Sequence, residues 1–166
     1  MTAGSGPRGV VGFGYEGADL DAFVTSLARS QVSLLIDVRL NAISRKRGFS
    51  KRGLAQALAD GGIGYEHAPE LGNPGWNRPG FSGSPAELAT ARDTYRQLIQ
   101  SEEASSRLDA ISQAAATAVV AVLCVESDER LCHRYVVLRE LRSRVPASLA
   151  PTSKNACVAA RTGPAP

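Results

Sequence analysis

Val32-Ser-Leu-Leu-Ile-Asp-Val38 is a near-continuous aliphatic run that closes on a charged pair, Asp37 and Arg39. Such a run reads as a β-strand covered on both faces, the signature of a parallel sheet lying under helices. Ala118-Val-Val-Ala-Val-Leu-Cys-Val125 repeats the pattern and is the strongest strand signal in the chain. Working outward, Arg8-Gly-Val-Val-Gly-Phe-Gly14 reads as a short buried strand stopped by glycine, and residues 63–67 as a shorter, weakly apolar one.

Helical patterns separate these strands. Leu20, Phe23, Val24 and Leu27 share one helix face, with Asp19 near its start. Ser50 is placed to cap a helix carrying Leu54, Ala57 and Leu58, which ends at Gly61-Gly62. Two helices are expected near 85–100 and 101–115, and another over 132–144 through Tyr135, Leu138 and Leu141. Residues 69–85, punctuated by Pro69, Gly72, Pro74, Gly75, Pro79 and Gly80, read as a long loop of the kind that serves as a lid or binding segment. The alternation predicts a single α/β domain over 8–144. Its mainly parallel sheet is flanked by helices in a Rossmann-like three-layer arrangement. Residues 145–166, rich in Pro, Ala and Ser without a sustained period, read as an irregular tail, disordered or degenerate.

Composition supports that frame. A chain of 166 residues, 43% hydrophobic and 21% charged, is long enough to bury a core without disulfide staples and too apolar to be disordered throughout. No apolar run approaches the ~18 residues of a membrane span, so no membrane partner is expected. Met1 to Pro7 lacks the apolar segment of a secretory signal. Three cysteines argue against a disulfide framework and for a cytoplasmic location. The formal net charge is +3, yet Arg39, Arg45, Lys46, Arg47, Lys51 and Arg52 crowd one segment with no acidic residue among them. The positive charge is therefore local. It suits an anionic partner, or else a solvated face.

In a parallel sheet ligands bind beyond the carboxyl ends of the strands. Reactive residues follow each predicted strand: Tyr15-Glu16; Asp37-Val-Arg39 with Ser44-Arg45 and Phe49-Ser50; Glu70 within Pro69–Asn73; and Cys124-Val-Glu126 with Cys132-His133-Arg134. Arg39, Arg45 and Arg134 offer planar donor forks matched to phosphate or carboxylate, with Tyr15, Ser44 and Glu70 completing a substrate-binding set. Alternatively, Arg39 pairs internally with Asp37 or Glu126. Glu16 and Glu126 are candidate general acids or bases, or neutralise neighbouring arginines. Cys132, in the first turn of a helix beside Arg134, is a candidate thiolate with His133 next to it. Cys124 at a strand end suits a half-buried inert thiol.

Cys124, Cys132 and His133 also make a zinc-type donor set, but seven residues intervene between the cysteines where structural sites use C-x₂₋₄-C, and a fourth ligand would have to be His67 or a carboxylate. No metal ligand is assigned and no cofactor is expected, with zinc kept as an alternative. Gly12, Gly14 and Gly17 fit G-x-G-x-x-G, which alone is too weak to indicate a dinucleotide site.

The blocks Gly12-Phe-Gly-Tyr-Glu-Gly17, Asp37-Val-Arg-Leu-Asn-Ala-Ile-Ser-Arg45 with Phe49-Ser50, Tyr65-Glu-His-Ala-Pro-Glu-Leu-Gly72, and Cys124-Val-Glu126 with Cys132-His-Arg134 resemble the DUF488 family (domain of unknown function), over about residues 9–142. The resemblance implies an α/β fold and a cytoplasmic bacterial or archaeal protein, and brings no established activity. The chain departs from the family pattern at Ala42, where proline is common, and after Cys-His-Arg, where the family continues through a helix into a final strand. Residues and resemblance together lead to an enzyme, hydrolase or transferase, acting on a phosphate-bearing small molecule, nucleotide or nucleic acid at the sheet edge. The alternatives are a nucleic-acid-binding module using residues 39–52, or a Cys/His thiol or metal sensor.

Overall fold

Four strands, β1 (Gly9–Gly14), β2 (Val32–Asp37), β3 (Gly64–His67) and β4 (Val119–Cys124), form one parallel sheet in the order β1-β4-β2-β3. The computed structural model describes residues 6–144, so the tail expected over 145–166 lies outside the described residues. Every residue of β4 is buried, and its side chains divide by parity. Val119, Ala121 and Leu123 pack with Phe23 and Leu27 of α1 (Leu20–Arg29) and with Leu54 and Leu58 of α2 (Lys51–Asp60). Val120, Val122 and Cys124 face the opposite core, built from α3 (Pro85–Leu98), α4 (Glu102–Ala115) and α5 (Arg134–Arg144). Two apolar faces on one strand require two helical layers, and the three-layer α/β expectation holds.

Local chemistry sets the helix starts. The Asp19 side chain accepts the Ala22 N–H at 2.8 Å at the head of α1. Ser84 and Glu87 form a reciprocal capping box at α3, with Pro85 in the first turn where its missing N–H costs nothing. Ser50 stands at the N-cap of α2, yet its hydroxyl makes no cap bond; it accepts from Ser44 N and donates to Ser44 O, closing the loop after β2 instead.

Two details differ from the sequence expectation. Much of the segment read as a long loop over 69–85 is wound into 3₁₀ turns, Pro69–Leu71 and Gly75–Ser82. Proline restricts φ to values that such turns use, and buried Phe81 and Asn77 hold the second turn down. Second, α5 begins at Arg134, two residues later than the apolar period suggests. Cys132 is extended, with φ −130° and ψ 146°, and closes a short 3₁₀ turn, Glu129–Leu131.

These placements open the site. The chain leaving β2 goes to α2 on one face and the chain leaving β4 goes to α5 on the other, so a crevice forms beyond the adjacent ends of β2 and β4.

Candidate functional site

The crevice is a cavity of about 240 Å³. Cys124, Glu126, Cys132 and His133 line its β4 side, Arg39 its β2 side, and Arg78 a third wall. The β4 side is a cluster of soft and ionisable groups. The Cys124 and Cys132 sulfurs each lie 3.8 Å from His133 Nδ1, and all three donor atoms fall within 4.8 Å of one another. His133 Nε2 sits 3.0 Å from the Val38 carbonyl. A carbonyl only accepts, so Nε2 carries the hydrogen and Nδ1 faces the sulfurs. The backbone N–H of Arg134 donates to Cys132 Sγ at 3.4 Å. Tyr95 packs its ring edge-on to the imidazole at 5.2 Å and donates its hydroxyl to Leu71 O at 2.6 Å.

Because Cys132 is extended rather than helical, its side chain and that of His133 meet at Cys124 instead of diverging by a helical ~100° step. Charge within the cluster is coupled. The neighbouring Cys132 thiol holds the Cys124 thiol below its usual range, burial opposing and His133 assisting. Burial and then Cys124 push the Cys132 thiol up. Burial alone would lower His133, but Cys124 and the Val38 carbonyl outweigh it and raise it. Burial likewise works to raise Glu126, and is outweighed by the neighbouring Cys132, its own backbone and Cys124, so its carboxyl titrates low. Glu126 Oε2 is nevertheless buried without a geometrically sound hydrogen bond.

The arginines serve the frame. Arg39 grips Asp37 with Nε at 2.8 Å and Nη2 at 2.6 Å, and its Nη1 donates to Tyr15 Oη and Phe49 O. Its Nη2 makes one hydrogen bond among the described residues, to Asp37, and so has a second N–H to offer. Tyr65 completes this network by donating to Asp37 Oδ2 at 2.7 Å. Arg134, 1% exposed, donates from Nη1 to Phe13 O and from Nη2 to Glu126 O, tying the end of β1 to the loop after β4.

Residues 19–141 match the family described as Domain of unknown function DUF488. The chain belongs to the DUF488 family. The match takes in both the Asp37-Val38-Arg39 block and the Cys124…Cys132-His133-Arg134 block, while β1 with Tyr15 and Glu16 precedes it. No curated protein and no solved structure matches the chain.

Within this DUF488 domain the residues singled out in the sequence separate into groups. Arg39, Glu126, Cys132 and His133 line the cavity, and Arg134 is buried outside the lining. Tyr15 is buried, stacked on Phe49 at 4.4 Å and bonded to Arg39, with Ser44 3.4 Å from its hydroxyl. Glu16 is exposed and accepts from Ser127 N and Oγ at 3.1 Å. Glu70 pairs with Arg107 of α4, away from the cavity. Arg45 is exposed and outside the lining. His67 does not join the cysteines; its Nε2 meets Arg39 O at 2.8 Å.

Sequence reasoning missed Arg78 and Asn73 as lining residues, although the Pro/Gly-rich segment that holds them was legible. Glycine spacing gains a meaning other than phosphate binding. A Cβ on Gly14 would stand 1.9 Å from Glu126 O, so the residue lets β1 press against the loop that carries Glu126.

Among the described residues, no helix is long and apolar enough to cross a membrane.

Proposed function

We propose that this DUF488 protein is an enzyme, a hydrolase or transferase, whose substrate is a phosphate-bearing small molecule or nucleotide bound in the crevice beyond β2 and β4. One observation carries the reading: Cys124, Glu126, Cys132 and His133, drawn from a strand end and the loop after it, converge on one cavity with arginine on its other walls. In this reading Arg78 and the second Nη2–H of Arg39 meet the anionic group. Glu126, held as a carboxylate beside the cavity, moves the proton, and Cys132-His133 flank the reacting bond. Arg134, Tyr15 and Ser44 position these groups through backbone carbonyls and Arg39. Glu16, Glu70 and Arg45 take supporting rather than reacting places. The buried, unbridged thiols of Cys124 and Cys132 favour a reducing cytoplasm.

The test is thermal stabilisation of the purified protein by nucleotides and sugar phosphates, followed by turnover assays on the compounds that bind. We expect Arg78→Ala to weaken that stabilisation. Glu126→Gln should keep it while losing about 10²–10⁴-fold in turnover. A protein that no phosphate compound stabilises, or whose ligand is indifferent to Arg78→Ala, would falsify the reading.

A second reading rests on Arg45, Arg47, Lys51 and Arg52, which are exposed and form no ion pair among the described residues. They suit a nucleic-acid backbone. Affinity for short DNA or RNA that falls steeply with salt, and that Arg45→Ala and Arg52→Ala reduce, would support it. Salt-independent or absent binding removes it.

A further inference from the structure

We propose that Cys124 Sγ, Cys132 Sγ and His133 Nδ1 bind one Zn²⁺ at the floor of the crevice, leaving its fourth coordination position open to the cavity. The donor types come first. Two thiolates and an imidazole are the soft and borderline ligands that zinc prefers. Distances agree. With Zn–S near ~2.3 Å and Zn–N near ~2.0–2.1 Å, tetrahedral geometry puts neighbouring donor atoms roughly 3.5–3.8 Å apart. Both S···N separations are already 3.8 Å, and the set fits within 4.8 Å.

The surroundings are those of a ligand set held ready. Donation of His133 Nε2–H to Val38 O leaves the Nδ1 lone pair directed at the sulfurs, as an outer-shell carbonyl does for a metal-bound histidine. The Arg134 backbone N–H points at Cys132 Sγ, a bond that favours a thiolate. Two thiolates balance the charge of Zn²⁺, so the filled site carries no net charge into a buried position, and each thiol that binds releases its proton to solvent. Glu126 lies beside the cluster with a buried, unpartnered Oε2, outside the set of three mutually close donors. It is a neighbour of the open position, not a ligand.

The sequence spacing that argues against zinc belongs to sites built within one small knuckle. Here the first ligand ends a strand and the other two come from the loop that returns to the same edge, so the fold supplies the closeness. Three protein ligands with one position facing a cavity is the arrangement of a catalytic rather than a structural zinc.

The experiment is Co²⁺ titration of the reduced, chelator-treated full chain, followed by zinc competition. One equivalent should bind with sulfur-to-cobalt charge transfer and the visible bands of tetrahedral cobalt, and Zn²⁺ should displace it. Loss of an outer-shell partner alone costs about 10–100-fold in affinity, so Cys132→Ser or His133→Ala should cost more than ~100-fold. Cys157→Ser and Glu126→Gln should each keep one equivalent. In the unmodified chain Zn²⁺ should also slow alkylation of Cys124 and Cys132, a readout that survives if a variant fails to fold. Octahedral cobalt without charge transfer, retention in Cys132→Ser, or thiols that zinc leaves unprotected overturns the proposal. No substrate is needed, so cobalt binding without any phosphate ligand retains this inference and removes the substrate reading, and the reverse result separates them the other way.

Discussion

The crevice has two sides built on different terms. On the β2 side Asp37, Arg39, Tyr15 and Tyr65 are buried or half-buried, and both carboxylate oxygens of Asp37 are matched to donors. On the β4 side Glu126 Oε2 is buried with no hydrogen-bond partner among the described residues, and two thiols face one imidazole nitrogen. Native proteins leave few buried polar atoms unsatisfied; Arg92 Nε and Ser112 Oγ, outside the cavity lining, are two others among the described residues. The β2 side is a bracket. The β4 side gathers two thiols, an imidazole and a carboxylate at the cavity wall.

Mutation should break the two sides differently. Asp37→Ala strands the Arg39 guanidinium, 5% exposed, without its countercharge, and should destabilise by about 3–5 kcal/mol in a denaturant titration. A loss below ~1 kcal/mol would mean that water reaches Arg39 and that the bracket is not one.

Next in size, Tyr65→Phe removes a hydrogen bond to a carboxylate and should cost about 1.5–3 kcal/mol. Burial, then the bond to Asp37, raises the Tyr65 phenol above its ordinary value. A raised group contributes stability in full below its unfolded pKa, near ~10, and loses it as pH rises toward the folded value. Wild type should therefore lose stability in the alkaline range more steeply than Tyr65→Phe, a difference that melts at several pH values would reveal.

Glu126→Gln, on the other side, should leave stability within about 1 kcal/mol of wild type, because it breaks no sound hydrogen bond of its side chain. A destabilisation as large as that of Asp37→Ala would erase the contrast between the two sides.

The smallest effect lies far from both. Hydrogen bonds from the Ser84 backbone, then its side chain, lower the exposed Glu87 carboxyl. Its contribution is present above the unfolded value and disappears as pH falls through the folded one. Glu87→Gln should therefore melt slightly lower than wild type at neutral pH and coincide with it in acid.

Some of this was readable residue by residue. The aliphatic runs at Val32–Val38 and Ala118–Val125 dictate buried parallel strands because helices must cover both faces. Asp19 acts over one helical turn, so local sequence contained the start of α1; the equally local Ser84-Pro85-Glu87 box was not singled out, and Ser50, read as a cap, bonds to Ser44 instead. The DUF488 blocks were likewise visible as residues in order. Register and loop path were not. Whether Arg39 met a ligand or Asp37, Tyr15 and Phe49 depended on a rotamer and on a loop closing ten residues later. The start of α5 mattered most: an extended Cys132, two residues before the helix, brings His133 Nδ1 to both sulfurs, where a helical Cys132 would have sent them apart. Sequence alone thus determined the class of fold and the edge at which reactive residues gather, since hydrophobic period and strand polarity are local properties. Which of those residues became bracket and which came to line the open cavity was decided only by tertiary structure, because side chains distant along the chain compete there for the same few buried donors and acceptors.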